Sequence, residues 1–130
     1  MFMTVTIELT NALQIEALRS NGFTNDEILY KLKRQQLAAF QGKVANMEFD
    51  SLLSLFEKNP AQFERALRTG YKAETMTTEA AKFLLQCLFS AKEGDHFVIE
   101  NGEIVIKRLT NKQREQFNEI LPETWKSVVA

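Results

Sequence analysis

The chain holds one cysteine and one histidine, Cys87 and His96. A lone cysteine cannot close an internal disulfide, so the cross-linked framework of small secreted domains is excluded. One cysteine and one histidine also fall short of a zinc-ligand cluster, and no stretch has the ligand spacing of an EF-hand loop. The five glycines are scattered and form neither the dinucleotide-binding nor the P-loop pattern. No cofactor and no metal are therefore expected. With only two prolines and no Gly/Ser-rich stretch, nothing reads as a linker, and residues 1–130 are expected to form a single compact domain.

Long hydrophobic runs are missing too. None approaches a membrane span, and the opening "MFMTVTIELT" lacks the basic start and apolar core of a signal peptide. A cytoplasmic protein with no membrane contact is the expectation. Net charge is also small: 16 Lys+Arg against 17 Asp+Glu leave −1 at pH 7. No global field would then draw nucleic acid or an acidic surface.

Apolar side chains are plentiful. They make up 45% of the residues and include ten Phe, which fit aromatic core filling better than an aromatic-rich contact surface. Met3, Val5, Ile7 and Leu9 alternate with Thr4, Thr6 and Glu8, the period of a half-buried strand. Leu9, Leu13 and Ala17 continue at helical spacing, which makes a helix starting near Thr6 the competing reading. A helix is expected over roughly 10–20, closed by Gly22 with Phe23 packing back on Leu18. Thr24 and Glu27 then form a capping box for a second helix, whose apolar stripe Ile28, Leu29, Leu32, Leu37 and Phe40 runs on to Gly42. A third helix is expected over 49–58. Asn59 and Pro60 open a fourth that ends at Gly70, and a fifth covers 78–91.

The clearest local signal is "HFVIENGEIVIKRL". Two apolar, β-branched runs flank Asn101-Gly102, the pair that a tight hairpin prefers. Thr110 with Gln113 opens a last helix, stopped near Pro122. "EALRSNGF" (16–23) and "RALRTGY" (65–71) echo one another, but shared helix-ending chemistry explains the likeness without a duplication. The expected fold is mainly α, with five to six helices, a C-terminal β-hairpin followed by a last helix, and the N-terminal strand as a candidate third strand.

Catalytic groups are thin. A Cys87–His96–Asp95 arrangement can be drawn, yet a core cysteine in "KFLLQCLF" and a histidine entering a strand account for the same residues. No carboxylate pair is marked out. The chain is read as non-enzymatic, with no small-molecule substrate indicated.

"RSNGFTNDEILYKLKR" (19–34) supplies a helix end, a turn and a basic-ended helix, and it resembles the leading half of helix-turn-helix regulators. That resemblance implies a short turn and a reading helix next, whereas the pattern continues through "KRQQLAAF". Helices 60–69 and 78–91 with the hairpin 97–107 follow the order of a winged helix. The outward positions Glu79, Lys82, Gln86 and Ser90 offer one cation, however, and Glu100 and Glu103 at the hairpin tip would repel phosphate. Lys31, Lys33, Arg34 (with Lys43 nearby in sequence), Arg65, Arg68 and Lys72 are the candidate contacts to a partner or to nucleic acid. Equally, they suit solvated cations near helix C-termini.

The favoured function is a small non-catalytic interaction module with a regulatory, adaptor or assembly role, working on a protein partner or a second copy of itself. Val5, Ile7, Trp125 and Val128 are the candidate interface, since the N-terminal strand offers an edge to another chain. A DNA-binding regulator of helix-turn-helix or winged-helix type is the alternative.

Overall fold

A computed structural model describes residues 4–123, 125, 128 and 129. The order of elements is β1 (Val5–Ile7), α1 (Leu9–Ser20), α2 (Asn25–Lys33), α3 (Leu37–Gln41), α4 (Asp50–Lys58), α5 (Pro60–Thr69), β2 (Tyr71–Ala73), α6 (Thr78–Phe89), β3 (Phe97–Glu100), β4 (Glu103–Ile106), α7 (Asn111–Ile120) and β5 (Val128–Val129). The chain is mainly α with a hairpin before the last described helix, as its periodicity predicts.

Local chemistry sets most of the boundaries. Thr24 and Thr110 each form a complete capping box, with Glu27 and Gln113. The Asn59 side chain caps α5 ahead of Pro60. Asn101 and Gly102 both take positive φ, 53° and 77°, as the tight hairpin between β3 and β4 requires.

Two departures from the sequence pattern have clear causes. The helix expected to reach Gly42 stops at Lys33, because Gln35 adopts a left-handed φ of 56°. Its N–H donates to the Leu32 carbonyl at 3.0 Å, and the Gln36 N–H donates to that of Lys31 at 2.9 Å. This is a glycine-type helix ending built without glycine. The short α3 then carries Phe40 into the core, so the described residues form seven helices rather than five or six.

The N-terminal strand forms over Val5–Ile7, with Met3 outside the described residues and Leu9 already helical, but its neighbour is β2 and not the hairpin. β1 and β2 run parallel with Val5 opposite Tyr71 and Ile7 opposite Ala73. The hairpin takes its third strand from the other end of the chain, where β5 pairs in parallel with β4. The sequence echo at 16–23 and 65–71 has no structural counterpart either. Gly22 (φ 94°) closes α1 so that Phe23 N–H reaches the Leu18 carbonyl, whereas Gly70 (φ 103°, ψ 166°) feeds extended chain into β2.

α1 and α6 pack along each other at the centre. Ile15, Leu18, Ala81, Leu84 and Leu85 are inaccessible to solvent there, and Phe40, Phe49, Phe97 and Phe117 fill the surrounding core. The Phe excess is therefore partly spent on core volume, with Phe23, Phe40 and Phe49 meeting edge to face.

Candidate binding groove at the edge of β1

β1 has one strand neighbour, β2, so its other edge is unpaired by any strand among the described residues. The Glu74 N–H donates to the Ile7 carbonyl at 2.7 Å, following the pairing of Ile7 with Ala73. In a parallel ladder, alternate residues direct both backbone groups to the same neighbour. Val5 and Ile7 therefore face β2, and the N–H and C=O of Thr6 face outward. On the far side of β2, α7 packs against the strand.

The outward edge of β1 opens into a groove of about 690 Å³, within the range of about 300–1,000 Å³ usual for ligand clefts. Four consecutive residues, Val5 to Glu8, line one wall. Adjacent residues of a strand point to opposite faces, so lining by all four is the mark of a backbone edge. The opposite wall comes from the α4–α5 corner through Ser54, Leu55, Lys58, Gln62 and Phe63. Phe63 is buried and Leu55 half-buried, while Ser54, Lys58 and Gln62 are exposed.

Polar contacts hold these walls in place. Buried Asn11 donates to Gln14 Oε1 at 3.0 Å, and Gln14 Nε2 donates to the Glu48 carbonyl at 2.7 Å and to Ser51 Oγ at 3.0 Å. This joins α1 to the start of α4. On the other side, the Tyr71 hydroxyl donates to the Glu16 carboxylate, which also accepts from Arg19 Nη1 at 3.1 Å. Arg19 Nη2 continues to the Leu67 carbonyl at 2.6 Å and shares Asn25 Oδ1 with Nε. β2 is thereby tied to α1 and to the end of α5, and β2 in turn positions β1.

The residues singled out from sequence do not converge. Lys31, Lys33 and Arg34 occupy the C-terminal end of α2, where Arg34 stacks 4.9 Å from the exposed Tyr30 ring. Arg68 pairs with Asp26 at the other end of that helix, and with Glu64. Asp26 and Arg34 are eight residues apart, or about 12 Å of helix. Arg65 lies exposed on α5. Lys72 is spent on structure: its Nζ reaches the Leu121, Glu119 and Asn118 carbonyls at 3.1, 3.4 and 3.5 Å, capping the end of α7.

The expected interface needs correction as well. Val5 and Ile7 are only 5% exposed and belong to the core, because their alternation turns both side chains inward. Only the backbone edge is left for a partner. Trp125 packs half-buried against the core, and the Val128 backbone is paired with Val105.

The winged-helix order lacks its geometry. α6 is packed into the molecule through Ala80, Ala81, Leu84 and Leu85, and the hairpin tip folds back so that Thr78 Oγ1 donates to the Gly102 carbonyl. Cys87 meets Ser20 and Glu16 on the α1 side, and burial raises its thiol pKa. His96 Nδ1 instead accepts the Lys92 N–H at 2.9 Å. These two residues are engaged in different surroundings, and no cluster of three metal-ligating side chains occurs among the described residues. No described helix is long and apolar enough to cross a membrane.

No family model, curated protein or solved structure matches the chain. The groove was missed by sequence reading because its main recognition element is backbone. The alternation of residues 3–9 signalled a strand with an edge, but the walls come from segments some fifty residues away.

Proposed function

We propose that the protein is a non-catalytic interaction module that takes an extended segment of a partner protein as an added strand on β1. The observation that carries this reading is the outward-facing backbone of Thr6 at the wall of a formed groove. Main-chain hydrogen bonds supply affinity in strand addition, and alternate side chains supply selectivity. The protein thus suits an adaptor, regulatory or assembly role. The DNA-binding alternative is not carried forward, since the cations are dispersed and the hairpin tip is acidic and folded back.

The Thr6 N–H points away from β2, so Thr6→Pro removes an outward donor while leaving the β1–β2 ladder intact. Proline is tolerated at such an edge position. Anisotropy of a labelled peptide alternating valine and threonine tests the proposal. Binding to the wild type and to Thr6→Val, with loss in Thr6→Pro, is expected. Equal binding by both variants would refute strand addition.

A further inference from the structure

Resting on the strand-addition reading, the geometry points to a particular occupant: a segment of a partner protein with the order basic–apolar–any–apolar, running antiparallel to β1. Glu8 directly follows Ile7, and the Glu74 N–H is bonded to the Ile7 carbonyl. Glu8 and Glu74 are therefore the next residues on the two strands beyond the Ile7–Ala73 pair, and both line the groove. Both are exposed groove residues, and neither is paired with a cation among the described residues. Lys58, on the opposite wall, is the one cation in the lining. Two carboxylates against one cation leave the described lining of the groove net acidic.

Register converts this into a sequence preference. Antiparallel addition is the more stable pairing per residue. Because both Thr6 backbone groups face outward, the residue opposite Thr6 would exchange both hydrogen bonds with it. Residues opposite each other share a face. Those opposite Ile7 and Val5 therefore share the face on which these two side chains are buried, and favour apolar side chains. The residue opposite Glu8 lies on the exposed face beside the two carboxylates, and favours lysine or arginine. Read from N- to C-terminus, an antiparallel segment meets Glu8 first, then Ile7, Thr6 and Val5.

A second copy of this chain fits less well. Its own β1, laid antiparallel about Thr6, would bring Thr4 opposite Glu8 and supply no cation. Its edge is also walled by the α4–α5 corner, so two such edges would obstruct one another. A slender segment of another protein meets neither obstacle.

The test uses the full chain and two labelled peptides with serine flanks, one centred on Lys-Val-Thr-Val and the other on Glu-Val-Thr-Val. The lysine peptide should bind more tightly by about two- to fivefold for each exposed ion pair formed. Added salt and the double variant Glu8→Gln/Glu74→Gln should each erase that preference. Equal binding of the two peptides, or a preference that survives in the double variant, would overturn the inference. If that equal binding is still lost in Thr6→Pro, strand addition stands without charge selection; if neither peptide binds, both readings fall. A wild-type dimer in sedimentation that Thr6→Pro dissolves would assign the edge to a second copy and also overturn it.

Discussion

The Tyr71 hydroxyl donates to the carboxylate of Glu16 in the interior, and Arg19 meets the same oxygen, Oε2, at 3.1 Å. Glu16 and Tyr71 are each 2% exposed. A buried carboxylate is costly unless charge and hydrogen bonds compensate it, and here α1 and β2 provide both. Tyr71→Phe removes one donor and leaves the carboxylate with Arg19. The expected loss is about 1.5–3 kcal/mol, the worth of a hydrogen bond to a charged group, read from urea unfolding.

The same contact shapes the alkaline limb of stability. Burial, followed by the neighbouring Glu16 charge, raises the Tyr71 pKa well above its ordinary value of 10.0. The folded state therefore keeps the proton when the unfolded chain releases it. Stability from this group is complete below about pH 10 and falls as pH rises further, by up to about 1.4 kcal/mol per pH unit. Unfolding measured from pH 8 to 11 should show that decline, with Tyr71→Phe having the shallower slope.

Lys72 is expected to behave as a structural cap and not as a ligand contact. Lys72→Met keeps most of the stem but removes the ammonium from the α7 carbonyls. It should cost about 0.5–1.5 kcal/mol and speed hydrogen exchange in the last turn of α7. Unchanged exchange there would show that the cap contributes nothing.

Gln35 holds a left-handed conformation at the end of α2 with φ 56°. A side chain in that region is unfavourable, and glycine relieves the penalty. Gln35→Gly should stabilise the protein by about 1 kcal/mol in thermal or urea unfolding, despite losing the exposed 3.1 Å contact from Gln35 to Glu57.

These sites mark how far the sequence could be read. Capping boxes at Thr24 and Thr110, the Asn59-Pro60 start and the Asn101-Gly102 turn depend on neighbours within four residues, and all were legible. Gln35 was not, because its helix ending uses a residue without the glycine signal. The three-residue β2 was too short for periodicity to register. Its pairing with β1 brings Ile7 to Ala73, a long-range contact that no local pattern encodes. The groove inherits that difficulty. Glu8, Lys58 and Glu74 look like ordinary surface charges until the topology gathers them around one strand edge.

Strand addition makes its most direct claim about a single amide. Hydrogen exchange followed by NMR on the full chain, with and without saturating Lys-Val-Thr-Val peptide, measures it. The account predicts that the Thr6 amide gains strong protection on binding, while the Val5 and Ile7 amides, already turned to β2, change little. Peptide binding that leaves Thr6 exchange unaltered would contradict it.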